Sequence, residues 1–335
     1  MIKIKKVTIY TLAEELGMTP SMVSRALSPN GKVNEQKRQL VLKAAEKYNF
    51  IPNRMASRLS GDVIKIGVII NTNFKPIENE MADGIKEAYE ELRDYKLEYK
   101  LFLPGNDKKR TEAAINKVKN CDAVIISGIH SEYVDMLKDI KNIVQVQNVN
   151  DKIDYLFASE QDLFLASEIS AEFLADCLRF SKRKNIALFT GCLDSSVHAF
   201  SMESFKKAAA KNGLNIVKCS EVMDSEELLR AALPGTFEGG EIDGAYITSG
   251  VSLSLCKYVK EHGLNIPLVT YDVYKELNEY IKDKTVSATI FQNAKGQAKT
   301  AFEKLVHYLI DNEMPPKRIL TSVHLVMKSN LRLYE

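Results

Sequence analysis

The sequence predicts a small helical head joined to a larger α/β body built on parallel sheets. Three observations carry this. Short helical stripes, punctuated by glycine and proline, fill the first fifty residues, and beyond residue 62 short apolar runs alternate with helical segments. Charge divides the same way: residues 1–60 hold 11 Lys and Arg against 4 Asp and Glu, a net of +7, whereas the rest hold 35 against 40, a net of −5. A chain of 335 residues that is 45% hydrophobic and 27% charged has apolar material for more than one core, which excludes disorder as its main state. A basic head on a mildly acidic body is the layout of a nucleic-acid module joined to something else. A solvated basic face would carry the same charge.

In the head, Ile9, Leu12, Ala13 and Leu16 recur at i, i+3, i+4 and i+7, one apolar helical stripe behind the cap candidate Thr8. Gly17 stops it. Thr19-Pro20 opens a second helix, because Thr can cap and Pro lacks only an N–H that would be unbonded there. Val23, Ala26 and Leu27 form its inner face, and Ser21, Ser24, Arg25 and Ser28 its outer face. Ser28-Pro29-Asn30-Gly31 is a turn signal, and a third helix from Asn34 places Val41, Ala44, Ala45 and Tyr48 on its core stripe. Two short helices around a glycine turn with a third behind make a helix-turn-helix, although the same unit also serves as a plain packing module. Lying in a major groove, the second helix would approach closely through its small residues, and Arg25 would offer two parallel donors to guanine. The stretch from Pro52 to Gly61 predicts two turns of helix, too short to stand alone in water, with Arg54 and Arg58 on two sides. It would order only against a partner copy and DNA.

In the body, strands are expected at 64–70, 97–103, 123–126, 143–149, 186–190, 215–219, 244–248, 268–271 and 288–291, with a further β-like run at 319–327. Helices fall between them, and this alternation argues for parallel sheets, each half of the body holding enough for one. Ligand sites in such sheets lie at the carboxyl ends of the strands.

The run from Val7-Thr8-Ile9-Tyr10 through Thr19-Pro20-Ser21-Met22-Val23-Ser24-Arg25-Ala26-Leu27 to Tyr48-Asn49-Phe50-Ile51-Pro52-Asn53 and Leu59-Ser60-Gly61 resembles the headpiece of the lactose/galactose-repressor family of bacterial transcription regulators. The resemblance extends more loosely over the rest of the chain. It implies a headpiece at 1–52, a hinge helix at 53–61 and a two-lobed body at 62–335 similar to periplasmic sugar-binding proteins. One lobe would span about 62–158 and 293–319, the other about 159–292 and 320–335. It also implies DNA contacts. Thr8, Tyr10, Thr19, Ser24 and Asn34 would touch phosphates or position the helix. Pro20, Ser21 and Arg25 would read bases, with Met22 beside them. Asn53, Ala56 and Leu59 would belong to the hinge helix, Leu59 as a wedge between base steps in the minor groove. Lys37 is expected to contact phosphate. Paired hinge helices imply a homodimer on a pseudo-palindromic double-stranded operator.

For the effector, strand-end logic selects Asn73, Phe74, Ser127, His130, Asn148, Gly250, Asp272 and Gln292. Amides and carboxyls pair with sugar hydroxyls and Phe74 can stack on an apolar sugar face, although Asn, Asp and Ser also cap helices and turns. The resemblance adds weight to Asn148, Asp272 and Gln292. It also exposes departures. Many members carry an arginine clamp where Ser201 stands, with Ser204 in place of a following Gly, and many end the strand matching Ala245–Thr248 in Ala-Asn-Asp, where this chain has Ser249-Gly250. The implied effector, a sugar or sugar derivative, is therefore not the common hexose in its habitual geometry.

Other classes find little support. The chain has no GxGxxG, no GxxxxGK[ST] and no HExxH, Ser204-x-x-Lys207 suits a helix surface, and five histidines are isolated in sequence. No catalytic residues, metal or cofactor are expected. Five scattered cysteines, no secretory leader and no membrane span point to the cytoplasm. No leucine heptad follows the β-like run at 319–327, so a dimer rather than a tail-built tetramer is expected. The competing reading is a cytosolic small-molecule-binding or carbohydrate-processing protein whose head mediates protein contacts.

Overall fold

The computed structural model describes residues 9–27, 33–48 and 63–335. The expected contacts at Thr8, Asn53, Ala56 and Leu59, the turn at 28–31 and the hinge at 53–61 lie outside the described residues. The chain divides into two units, Met1–Ile64 with Leu92–Glu98, and Lys65–Glu91 with Tyr99–Glu335.

The head holds three helices, α1 (Ile9–Glu15), α2 (Pro20–Leu27) and α3 (Glu35–Lys47). Gly17 takes the left-handed conformation (φ +61°) that ends α1 and turns the chain towards α2. Leu12, Ala13, Val23, Ala26, Val41 and Ala44 form one small core, with Leu16, Ala45 and Tyr48 packed at its edge. Asn34 caps α3 by accepting from the Gln36 amide at 2.9 Å. Arg38 on α3 donates to the Ala26 carbonyl at 3.2 Å, which ties down the end of α2.

The body contains two six-stranded sheets. The first takes β1 (Ile64–Ile70), β2 (Leu97–Phe102), β3 (Ala123–Ser127), β4 (Ile143–Val146), β5 (Phe157–Gln161) and β11 (Arg318–Thr321), in the order β11-β5-β4-β3-β1-β2. The second takes β6 (Asn185–Thr190), β7 (Asn215–Glu221), β8 (Gly244–Ile247), β9 (Leu268–Tyr271), β10 (Ala288–Phe291) and β12 (His324–Val326), in the order β12-β10-β9-β8-β6-β7. Buried on both faces by helices, parallel strands read as nearly continuous apolar runs, as β3 (AVIIS) does throughout. β12 pairs antiparallel to β10. Fully buried Phe157, Phe189, Phe205 and Phe302 anchor the cores, each burial stabilising by roughly 1.5–3 kcal/mol.

Three crossings join the two lobes, and the first and last fall slightly later than expected. β5 continues to Gln161 in the first sheet, so the first crossing follows residue 161 rather than 158. The end Ser-Glu-Gln of β5 is polar, which hid the strand, yet all five of its residues are buried. The apolar run at 319–327 is two strands, not one. β11 pairs with β5 as far as Thr321, and β12 crosses to β10, which moves the last boundary from 319 to 321. The middle crossing comes after β10, and the helix Ala294–Asp311 that follows packs on the helix Lys75–Glu91 of the first lobe.

Candidate functional site: the cleft and the helical head

The carboxyl ends of both sheets face a cavity of about 540 Å³, a size suited to a small molecule. Nearly every strand sends the residues after its last hydrogen bond into it. From the first lobe come Asn71–Phe74 after β1, His130 after β3, Gln147 and Asn148 after β4, and Gln161 at the end of β5. From the second come Cys192 after β6, Asp224 after β7, Ser249 and Gly250 after β8, and Asp272 after β9.

A hydrogen-bonded chain crosses the cleft at the lobe junction. Gln147 Nε2 donates to Gln292 Oε1 at 3.0 Å, and Gln292 Nε2 donates to Asp272 Oδ1 at 2.6 Å. Gln292 is itself held by Gln297, whose Nε2 donates to the Gln292 carbonyl at 2.7 Å. Asp272 sits in the left-handed region (φ +68°), its amide donating to Ile290 and its carbonyl accepting from Thr289 Oγ1 at 2.7 Å. These bonds turn its carboxyl away from the sheet. Burial raises that carboxyl to about 8, the Gln292 amide opposing the rise and Glu80 adding to it. At neutral pH the buried group is chiefly an acid that can donate.

Gly250 is the space into which this carboxyl points. A Cβ there would stand 2.6 Å from Asp272 Oδ2 and 2.6 Å from the Phe74 ring. Phe74 meets Tyr274 of the opposite lobe edge-on at 5.3 Å, and Tyr274 Oη donates to the Gly250 carbonyl at 3.0 Å. The missing side chain is thus what lets an aromatic of one lobe and a carboxyl of the other converge.

A second carboxyl lies further along the same wall. Ser249 Oγ donates to Asp224 Oδ1 at 2.7 Å, the Cys192 amide donates to Oδ2 at 3.2 Å, and His198 Nε2 stands 3.3 Å from Oδ1. Burial pushes Asp224 up, but the bonds from His198, Ser249 and Cys192 outweigh it and hold the carboxyl at about 2. Two aspartates that follow different strands and flank the end of β8, one at Ser249 and one at Gly250, therefore have opposite protonation at neutral pH.

Of the residues selected from sequence, Asn73, Phe74, His130, Asn148, Ser201, Gly250, Asp272 and Gln292 line the cavity. Ser127 does not. As the last residue of β3 it is buried in register with Ile70, and its carbonyl accepts from the Asn71 amide, so the wall begins one residue later. Sequence reading missed Gln147, Gln161, His198, Asp224 and Glu226, all of them on the cavity. β7 runs two residues past its expected end, which moves the strand-end positions to 222–226.

On the head, Tyr10 is 71% exposed, Ser21, Arg25 and Lys37 are exposed, and Pro20, Met22 and Ser24 are half-buried. Thr19 Oγ1 accepts from the Met22 amide at 3.3 Å and lies 3.1 Å from Ser21 Oγ, so it caps α2. Arg25 Nε donates to the Ser21 carbonyl at 3.2 Å, drawing the guanidinium along the outer face of α2.

A helix-turn-helix head on a two-lobed α/β domain with a ligand-sized cleft defines a DNA-binding regulator with an effector domain. Residues 8–53 match the lacI family of bacterial regulatory proteins, and residues 66–313 match the periplasmic binding protein domain. The chain is 22% identical to the ribose operon repressor of Lactococcus lactis over 97% of its own length and 98% of that protein. With the transcriptional regulator DegA of Bacillus subtilis it shares 26% identity over 42% of each chain. GanP, a glucose-galactose binding protein from Geobacillus stearothermophilus, superposes with a TM-score of 0.72 at 17% identity, covering 81% of this chain and 99% of that one. The chain belongs to the lacI family of bacterial transcription regulators, with a body of the periplasmic binding protein fold. Among the described residues, no helix is long and apolar enough to cross a membrane.

Proposed function

We propose that the chain is a cytoplasmic, homodimeric repressor whose affinity for a pseudo-palindromic operator is set by a sugar or sugar derivative bound between the lobes. The observation that carries this is the cleft itself. It is formed at the strand ends, it is lined by carboxamides and one stacking aromatic, and it belongs to a chain whose head presents Ser21, Arg25 and Lys37 to solvent. Relatives named as operon repressors support the sign of regulation.

The reading gives each residue a role. Pro20, Ser21, Met22 and Arg25 meet base edges, while Tyr10, Thr19, Ser24, Asn34 and Lys37 hold backbone phosphates or the pose of α2. Thr8 and the hinge residues Asn53, Ala56 and Leu59 complete the DNA contacts. Asn73, Phe74, His130, Asn148, Ser201, Asp272 and Gln292 hold the effector, and Gly250 makes room for it. The domain division is a headpiece to residue 52, a hinge to 61 and the two-lobed body beyond. Effector shifts operator affinity only through its different affinity for the two lobe arrangements.

The test is operator binding against salt for the intact chain and two variants. Log affinity is expected to fall linearly with log salt. Arg25→Ala is expected to relax base preference by about 1–3 kcal/mol, while Lys37→Ala weakens all sequences alike and lowers the salt slope by about 1. Salt-independent binding would contradict the reading. A purified chain that turns over a sugar without binding DNA would favour the competing enzyme.

A further inference from the structure

The two walls of the cleft differ in charge. The first lobe contributes neutral polar groups, the amides of Asn73, Gln147, Asn148 and Gln161 among them, with Phe74 between. The second contributes three carboxyls, Asp224, Glu226 and Asp272. Among the described residues lining the cavity there is no Lys and no Arg. The side chains there able to carry positive charge are His130, exposed at the rim, and His198, whose Nε2 is already beside Asp224.

The three carboxyls are not equivalent. Glu226 accepts from the Leu253 and Ser254 amides at 3.0 and 2.9 Å, at the start of a helix whose dipole offsets its charge. Asp224 has Ser249, Cys192 and His198. Asp272, only 4% exposed, has one side-chain donor, Gln292 on Oδ1, and its Oδ2 faces the space over Gly250. Across the cleft, Gln161 is 5% exposed and its Oε1 has no hydrogen-bond partner. Gln161 Oε1 is an acceptor held at the cavity, and Asp272, protonated at neutral pH, offers a hydroxyl there that an approaching ammonium would ionise. A carboxylate or phosphate in this cavity would lie beside the ionised Asp224 with no Lys or Arg among the described lining residues to balance it.

We infer that the effector is a polyol that presents donors to this cleft, with an ammonium accepted where a hydroxyl meets Asp272 and a carboxylate or phosphate refused. This rests on the proposed sugar-type effector and narrows it by charge class. Sugar acids and sugar phosphates are excluded as effectors, and neutral or amine-bearing sugars are the class to search.

The experiment uses the full chain and matched sets of compounds: for each of several aldoses, the neutral sugar, its 2-amino-2-deoxy form, its uronic or aldonic acid and its phosphate ester. Thermal shift ranks them and calorimetry measures the hits. Binding is expected only from neutral and amino members, with the acid and the phosphate at least a hundredfold weaker than their parent. An acid or phosphate that binds more tightly than its neutral parent overturns the charge class while leaving the sugar-type reading intact. Silence from every set overturns the sugar-type reading, and this inference with it. In Asp272→Asn, which suits the same left-handed backbone and cannot ionise beside an ammonium, binding of the amino member relative to its neutral parent is expected to fall at least tenfold. Unchanged relative binding of the amino member in a variant with the parent's circular dichroism would overturn the assignment to Asp272.

Discussion

The two walls of the cleft come from similar sheets and use different chemistry. In the first lobe, strand ends present carboxamides, each of which is both donor and acceptor and stays neutral at every pH. In the second, they present carboxyls, which only accept when ionised and can also donate when protonated. The first wall can therefore read hydroxyl geometry independently of pH, and the second reads charge. The link between them is Gln292 at the lobe junction, which accepts from Gln147 on one side and donates to Asp272 on the other.

The largest expected effect breaks the second wall. Folded Asp272 keeps its proton up to about pH 8, whereas an unfolded aspartate releases it near 4. Between those limits the folded state holds the extra proton, so stability falls as pH rises from about 4 to about 8. Asp272→Asn should remove that slope and gain on the order of a few kcal/mol at pH 8, read from denaturant melts across pH. Gly250→Val comes next. Its side chain would occupy the space of Asp272 Oδ2 and the Phe74 ring, so effector affinity should fall more than a hundredfold by calorimetry, with binding of the head to operator retained.

Smaller effects sharpen the comparison. Gln147→Leu removes one donor and leaves Gln292 Oε1 without that partner, a loss of about 1 kcal/mol in effector binding that should not vary between pH 6 and 8. Asp224→Asn should act least. The carboxyl is held at about 2, so its contribution is present above about pH 4 and lost as pH falls towards 2. Its side chain is 39% exposed, so solvent screening keeps the loss under about 1 kcal/mol in acid melts. A pH dependence in Gln147→Leu equal to that of the aspartate variants would erase the distinction between the walls.

The parts of this arrangement that the sequence reveals are those governed by local periodicity. The head's stripes at Leu12, Val23 and Val41 and the apolar runs of β1, β3 and β9 need only nearest neighbours to be read. The cleft breaks that periodicity because strand ends that bind ligands are polar. Ser159, Glu160 and Gln161 are buried in β5 without an apolar pattern, and β7 with its exposed edge hid the turn that carries Asp224. Pairings such as Gln147 with Gln292, 145 residues apart, leave no local trace, and neither does the convergence of Gly250, Phe74 and Asp272. Ser127 was misplaced by one residue, enough in a pleated strand to turn a side chain from cavity to core.

The account rests on one coupling, between the cleft and the DNA-binding head. It is measured by titrating a duplex carrying the operator with intact protein, with and without a saturating neutral sugar identified by the matched sets, and by titrating that sugar with and without duplex at the same salt. The account predicts that the sugar changes the operator Kd, and that the operator changes the sugar Kd by the same factor, as linkage requires. Equal operator affinity in both titrations would contradict it.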